Sequence, residues 1–176
     1  MDKLYFSYED IHRDVRSLAQ RIIASGYAPQ VIVAIGTGGF IPARILKTFL
    51  KLPILTIGVA LYGDDDKRSE GPRKIQWIDE VERKLSGKRI LLVDEVDDSR
   101  TTLAYCLREL LAHRPAELGV AVLHNKKKEK LGTFPPELKY WAARELDDLW
   151  FAYPWDAIDI DEHTRQASAG AKGQSA

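Results

Sequence analysis

Four carboxylate side chains follow an apolar run in the middle of the sequence. The run Ile90–Val93 consists of β-preferring residues and predicts a buried strand. The next five positions hold Asp94, Glu95, Asp97 and Asp98. Ionised groups are costly to bury without a partner, so we expect these acids at an accessible strand end. Carboxylates suit Mg²⁺ and sugar hydroxyls, which indicates a site for a metal-bound sugar.

A hydroxyl-rich segment follows the acids and precedes a helical pattern. Its residues are Ser99, Thr101 and Thr102. The backbone N–H groups at a helix N-terminus bind phosphate well, which predicts a phosphate on that sugar. An acid followed by a hydroxyl residue is also a common helix cap. Two adjacent acids directly after the strand and a second Asp pair exceed what a cap requires, so we favour a functional site.

A glycine-rich turn follows an earlier apolar run. Val31–Ile35 leads into Thr37, Gly38 and Gly39, and glycine allows close approach of the backbone to a ligand. A dinucleotide-binding fingerprint would need a further glycine where Ile41 stands. A simple tight turn is the alternative for this segment taken alone.

Strands and helices alternate along the chain. Apolar runs predict strands at Val31–Ile35, Ile54–Leu61, Ile90–Val93 and Val120–His124. Helical patterns cover residues 8–24, residues 41–50 and a segment beginning near residue 101. This alternation predicts an α/β fold with a parallel sheet flanked by helices on both faces. In such sheets ligands bind at the carboxyl ends of the strands.

The acidic segment resembles the phosphoribosyl-diphosphate (PRPP) binding signature of type I phosphoribosyltransferases. The matching residues are Asp94, Glu95, Asp98, Ser99 and Thr102. Arg100 stands where most members have glycine. The variant is most similar to fungal-type hypoxanthine-guanine and xanthine phosphoribosyltransferases, and it implies their fold, with a small C-terminal hood.

The resemblance implies a role for each part of the segment. Asp94 and Glu95 hold the ribose hydroxyls and, with Asp156, a magnesium ion. Asp98 is implied as the general base near N7 of a purine. A one-residue shift in the alignment to the family signature would assign this role to its neighbour Asp97. We prefer Asp98 because it directly precedes Ser99. The residues implied for the 5-phosphate are Asp98, Ser99, Arg100, Thr101 and Thr102.

Pyrophosphate has two implied contacts in the resembled family. Thr37, Gly38 and Gly39 match a short loop that binds it through the main chain. The long polar segment 62–74 matches a mobile loop that closes over the site, and Lys74 would add charge to the pyrophosphate. An exposed hairpin is the alternative for that segment.

Two further segments match the purine site of the family. Lys126 is implied to read the oxygen at position 6 of the base, although a solvated turn explains most lysine runs. The segment from Trp150 to Asp156 resembles the hood, where Phe151 stacks on the purine and the main chain of residues 150 and 151 meets its edge. Core packing is the ordinary explanation for such an aromatic cluster.

Together these matches imply a purine-salvage enzyme. It transfers ribose 5-phosphate from PRPP to N9 of hypoxanthine, guanine or xanthine, with Mg²⁺ as cofactor and a nucleoside monophosphate as product. A PRPP-sensing regulator without catalysis is the second hypothesis, and a dinucleotide-dependent oxidoreductase ranks last because the glycine fingerprint is incomplete.

Composition limits the class of protein further. The chain has 176 residues, 26 basic and 26 acidic side chains and one cysteine, Cys106. Balanced charge argues against nucleic acid, and a lone cysteine cannot form an internal disulfide. We expect no membrane partner, a cytoplasmic location and a homodimer or homotetramer. We also predict one domain over residues 1–167, with the hood mainly at 124–160 and a disordered tail over 168–176.

Overall fold

A six-stranded sheet forms the centre of the molecule in the computed structural model, which describes residues 3–60 and 71–173. Its strands are β2 (Val31–Gly36), β3 (Ile54–Ala60), β4 (Arg73–Gln76), β5 (Arg89–Asp97), β6 (Glu117–Lys127) and β7 (Lys139–Asp147). They lie in the order β4-β3-β2-β5-β6-β7. Every neighbouring pair is parallel except β3 and β4. The prediction of an α/β fold with a mostly parallel sheet is confirmed.

Helices cover both faces of this sheet. They are α1 (Tyr8–Ala24), α2 (Phe40–Leu50), α3 (Val81–Leu85) and α4 (Thr101–Leu111). Alternate residues of each strand enter different cores: Leu91 and Val93 pack with α1 and α2, whereas Ile90 and Leu92 pack with α3 and α4. Strands buried on both faces explain the continuous apolar runs in the sequence.

Helix α1 begins at a capping box in which Ser7 and Asp10 satisfy each other's backbone N–H groups. Its buried side chains are Ile11, Val15, Leu18, Ala19 and Ile22. These are the positions that helical spacing predicts. Cys106 lies fully buried in α4, where burial raises the pKa of its thiol to about 12, as expected of an unreactive core residue.

A second, two-stranded parallel sheet pairs β1 (Lys3–Tyr5) with β8 (Trp150–Ala152). A 3-10 turn (Pro154–Asp156) and helix α5 (Ile160–Gly173) follow β8. His163 Nε2 lies 2.9 Å from the carbonyl of Phe6, which fastens α5 to the N-terminal segment. The hood therefore includes residues from both ends of the chain.

The predicted disordered tail differs from the structure over residues 168–173, because α5 continues to Gly173. The Ser168 hydroxyl donates to the Thr164 carbonyl at 2.9 Å, and Ala167 is buried directly before the segment, which continues the helix. Residues 174–176 lie outside the described residues. Across the described part of the chain, no helix combines the length and apolar character needed to cross a bilayer.

Candidate active site

Three of the four acidic residues, Asp94, Glu95 and Asp97, lie on an extension of strand β5, whereas Asp98 lies just beyond its end as predicted. Strand β2 pairs with β5 only as far as Ala34 and Val93, whereas β6 follows β5 to Asp97. Backbone pairing with β6 keeps this extension in strand conformation, and the loop after β2 lies along the other edge of the extension. The acids therefore reach beyond the sheet, at the carboxyl edge where parallel sheets bind ligands.

A cavity of about 700 Å³ lies at this edge. Its lining includes all seven residues predicted to bind the sugar and its 5-phosphate: Asp94, Glu95, Asp98, Ser99, Arg100, Thr101 and Thr102. Lys128, Glu129 and Leu131 also line it. Residues Ser99–Thr102, the phosphate loop below, lead into the N-terminus of α4, which supplies a positive dipole end.

Asp94 and Glu95 meet neutral donors. The Glu95 backbone N–H donates to Asp94 Oδ1 at 2.8 Å, and the Trp155 indole donates to Glu95 Oε2 at 3.1 Å. Burial raises the pKa of Asp94 to about 8, and the charge of Glu95 adds to this. Burial and the charge of Asp156 raise the pKa of Glu95 to about 7, against the lowering effect of Trp155. A bound cation would stabilise both carboxylates.

The glycine-rich turn runs directly against these acids. A Cβ atom at Gly38 would lie 2.5 Å from Glu95 Oε1, and one at Gly39 would lie 2.5 Å from the Val93 carbonyl. Gly39 therefore requires glycine, because it meets backbone, whereas a side chain at position 38 would require the Glu95 carboxylate to move. The structure brings Thr37, Gly38 and Gly39 to the same edge as Asp94 and Glu95, as predicted for a sugar diphosphate site.

Asp97 and Asp98 have different surroundings. Asp97 is 1% exposed, and its Oδ2 accepts from Arg100 at 2.7 and 3.0 Å and from the Tyr140 hydroxyl at 3.0 Å. Lys130 Nζ lies 3.6 Å from Asp97 Oδ1. Only Asp98 of the two lines the cavity. The geometry therefore favours Asp98 over Asp97 as the acid that faces a ligand.

Asp98 belongs to a group of four charges, here called the lysine–aspartate cluster: Asp98, Lys126, Lys128 and Asp148. Asp98 lies 2.8 Å from Lys128 Nζ and 3.7 Å from Lys126 Nζ. Asp148 holds the same two lysines at 3.1 and 3.2 Å. The sequence prediction missed Lys128 and Asp148. Strand alternation could not have indicated Lys128, because β6 ends at Lys127 and a turn, in which the Lys128 N–H donates to the Lys126 carbonyl, brings it to the site.

The aromatic hood stands beside this cluster. Lys126 Nζ lies 5.1 Å from the centre of the Phe151 ring, so these two predicted purine-binding residues adjoin each other. Trp150 is 57% exposed, so the part of it expected at a base site is its main chain in β8. Phe6 and His124 support Phe151 from the core, with ring centres 5.6 Å away in each case.

A buried polar chain links the hood to the acids and was not predicted. His124 Nε2 lies 3.1 Å from Asp14 Oδ2, and His124 Nδ1 lies 2.9 Å from the Tyr153 hydroxyl. The Tyr153 ring stacks on Trp155 with ring centres 4.6 Å apart. Because Trp155 donates to Glu95, the core of the hood positions that carboxylate.

Lys74 and Arg100, both predicted to contact the substrate, pair with carboxylates of the chain itself. Lys74 pairs with Glu109 of α4 at 2.6 Å and lies over the Trp77 ring, because the edge strand β4 places it on the α4 side of the sheet. It does not line the described cavity. Residues 62–70 of the predicted mobile loop lie outside the described residues. Arg100 lines the cavity, and its guanidinium donates to Asp97.

The predicted metal ligands Asp94, Glu95 and Asp156 are not a preformed cluster. Within the described ranges, no three His, Cys, Asp or Glu side chains are arranged to hold a metal ion. Glu95 is turned to Trp155, which explains why the three carboxylates do not converge. Mg²⁺ commonly binds one or two carboxylates together with substrate oxygens, and the oxygen donors of Asp94 and Glu95 fit that mode.

Comparison with known proteins agrees with this geometry. Residues 7–154 match the phosphoribosyl transferase domain family. The chain is 40% identical to the hypoxanthine-guanine phosphoribosyltransferase of Saccharomyces cerevisiae, covering 94% of this chain and 91% of the relative. It is 39% identical to xanthine phosphoribosyltransferase 1 of the same yeast, covering 96% of both. A crystal structure of a hypothetical protein from Neisseria gonorrhoeae with bound ppGpp superposes with a TM-score of 0.91 at 47% identity, covering 96% of this chain and 97% of that one.

Proposed function

The chain belongs to the phosphoribosyltransferase family, and from that premise we propose that it transfers ribose 5-phosphate from PRPP to N9 of a 6-oxopurine in purine salvage. The observation that carries this proposal is the meeting of three groups at one sheet edge. These are the carboxylates of β5, the phosphate loop before α4, and Lys126 beside Phe151. The C1–O bond to pyrophosphate breaks as the C1–N9 bond forms.

The sugar end of PRPP would lie between Asp94, Glu95 and the phosphate loop. Hydroxyls of Ser99, Thr101 and Thr102 and backbone N–H groups at the start of α4 would hold the 5-phosphate. The carboxylates of Asp94 and Glu95 would accept from the ribose hydroxyls. The main chain of Thr37, Gly38 and Gly39 would bind the leaving pyrophosphate, since its glycines allow close approach.

Magnesium is proposed as the cofactor at Asp94 and Glu95. When bound, it stabilises the negative charge that develops on the departing pyrophosphate. Both carboxylates are partly buried, and both have raised pKa values in the free chain, so they would gain from a cation. Asp156 would act through the charge it places near Glu95.

The base would lie on Phe151, with its oxygen at position 6 toward Lys126. The lysine ammonium donates but cannot accept, so it suits a carbonyl oxygen and penalises the amino group of adenine. Asp98 would take the proton released at N7, while Lys126 and Lys128 hold its carboxylate in place. Such proton transfer contributes about 10²- to 10⁴-fold in rate.

A direct assay tests this proposal. The enzyme is supplied with PRPP and Mg²⁺ and with hypoxanthine, guanine, xanthine, adenine, uracil or orotate, and nucleotide formation is followed. We expect turnover with at least one 6-oxopurine and little with adenine. PRPP binding without turnover on any base would contradict the enzyme and favour the regulator.

We also propose that the chain binds ppGpp, because the 47%-identical Neisseria gonorrhoeae protein has it bound. This nucleotide carries a guanine, a ribose and two diphosphates, so it presents the groups that the cavity is proposed to accept. Calorimetry should show saturable binding that PRPP with Mg²⁺ weakens. Binding unaffected by PRPP would place ppGpp at another site.

A homodimer or homotetramer is proposed as the working assembly. Large apolar side chains are exposed, including Ile75 at 70% and Ile158, and such groups are available for association. We further propose a cytoplasmic location, where a charged sugar diphosphate would be available. Light scattering of the purified protein tests the assembly, and a monomeric mass would contradict it.

A further inference from the structure

Arg100 occupies a backbone conformation that side chains rarely adopt. Its φ of 68° and ψ of 0° lie in the left-handed region, directly before α4. Glycine adopts this region without a steric penalty, which fits the glycine usual at this position in the resembled family. An arginine held here needs contacts that compensate for the strain.

The guanidinium of Arg100 has such contacts on several sides. It donates twice to the buried carboxylate of Asp97, at 2.7 and 3.0 Å. Its centre lies 4.1 Å from the Phe134 ring centre and 5.4 Å from that of Tyr140. The Tyr140 hydroxyl donates to the same Asp97 oxygen. A fork of two N–H donors, here both on Asp97 Oδ2, and ring stacking are interactions that distinguish arginine from lysine.

The segment after β6 holds the other side of the phosphate loop. Lys130 Nζ donates to the carbonyls of Asp97, Asp98 and Lys126 at 2.7 to 2.8 Å. The backbone N–H groups of Leu131 and Gly132 both donate to the Ser99 carbonyl, at 3.0 and 3.2 Å. A Cβ atom at Gly132 would overlap the Arg100 carbonyl, so the two segments pack without a gap.

We propose that these five residues, Asp97, Arg100, Lys130, Phe134 and Tyr140, form a loop brace that fixes the phosphate loop in its binding shape before PRPP arrives. Arg100 is thus a positioning residue, and its guanidinium does not bind the phosphate. A loop that is ordered in advance loses less entropy on binding, so the brace acts on PRPP affinity. This inference rests on the proposed placement of the 5-phosphate at Ser99–Thr102.

The Asp97→Asn variant distinguishes the loop brace from the alternative that Arg100 binds the phosphate directly. If Arg100 were a phosphate ligand restrained by Asp97, releasing it would lower the KM for PRPP. The brace requires the opposite, a rise of about tenfold, because a loosened loop misplaces its phosphate donors. The KM for the purine base and kcat should stay within about twofold, since Lys126, Phe151 and Asp98 are unchanged.

Three further variants keep the test decisive if the buried Asp97→Asn substitution prevents folding. Arg100→Gly removes both the strain and the guanidinium and should raise the KM for PRPP by about tenfold. Arg100→Lys keeps the charge but loses the two-donor fork and the ring stacking, so its KM for PRPP should stay above the wild-type value. Tyr140→Phe removes one hydrogen bond and should raise the KM about threefold.

Arg108→Ala is the matched control. It removes a positive charge from the same helix at a side chain that is 71% exposed, so it should leave the KM for PRPP unchanged. An unchanged or lowered KM for PRPP in Arg100→Gly and Tyr140→Phe overturns the brace, as does restoration by Arg100→Lys. Absence of turnover in the wild-type enzyme on every base would instead overturn the proposed function.

Discussion

Two pairs of carboxylates at the end of β5 have opposite surroundings. Asp94 and Glu95 meet a backbone N–H and an indole N–H, and burial raises the pKa values of both. Three residues further on, Asp97 meets Arg100 and Lys130, and Asp98 meets Lys126 and Lys128. Among the described residues, the first pair therefore has no compensating charge and the second pair has one.

The difference indicates a division of labour. Asp97 and Asp98 have their partners within the chain, so they order the phosphate loop and the edge of the purine site. Asp94 and Glu95 are destabilised while the site is free of ligand, which favours the binding of a cation and its sugar diphosphate. Functional sites often reduce the stability of a fold in this way.

The largest effect is expected at Asp98. Asp98→Asn should lower kcat by about 10²- to 10⁴-fold, because the amide cannot take the purine proton, while PRPP still binds. Initial rates and calorimetry with PRPP measure the two effects. Asp147→Asn is the matched control, since Asp147 is 83% exposed at the end of β7 and should retain full turnover. Wild-type kcat in Asp98→Asn would remove Asp98 from the mechanism.

A smaller loss is expected at the first pair. Asp94→Asn should raise the Mg²⁺ concentration needed for half-maximal rate by about 10- to 100-fold, since a carboxylate that is proposed to hold the ion is lost. A magnesium titration at saturating PRPP and base measures this effect. An unchanged magnesium requirement would place the ion elsewhere.

The lysine–aspartate cluster should show a modest effect. Asp148→Asn removes the second carboxylate that holds Lys126 and Lys128, so the KM for the base should rise about threefold, as expected for partly exposed ion pairs. The KM for PRPP should not change. If the KM for PRPP rose instead, the cluster would belong to the phosphate end of the site.

The smallest effect concerns stability and pH. The pKa of folded Asp94 is about 8, against an ordinary value of 3.8, so the folded chain binds more protons than the unfolded chain between these values. The free energy of unfolding attributable to this group therefore falls as pH rises through that window, by about 1 kcal/mol or more. Urea unfolding of the ligand-free protein from pH 5 to 8 measures this, with Asp94→Asn as control. An equal slope in both proteins would contradict it.

The central strands could be predicted because they are buried on both faces and read as apolar runs. The end of β5 could not, because Asp94 to Asp97 remain in the strand through pairing with β6, which the local sequence does not encode. Strand β7 was missed for a related reason: it carries charged residues such as Arg144 and Glu145, which do not suggest a buried strand.

The candidate site shows the same distinction between what the local sequence predicts and what depends on strand pairing. The phosphate loop and the acids were predicted from motif and composition, since their chemistry lies in consecutive residues. Apart from Arg100, the partners of Asp97 and Asp98 come from positions about 30 to 40 residues later in the chain, among them Lys128, Lys130 and Tyr140. Their approach depends on the register of β5, β6 and β7, which only the folded chain sets.

Thermal unfolding of Asp94→Asn and Asp97→Asn, side by side at pH 8 without ligand, tests the division most directly. The two substitutions make the same chemical change three residues apart on one strand. We predict that Asp94→Asn raises the melting temperature, because it removes a partly buried carboxylate that no basic side chain of the described residues compensates, and that Asp97→Asn lowers it, because Arg100 loses its charged partner. A fall of similar size in both variants would show that the two pairs do not differ, and would contradict this account.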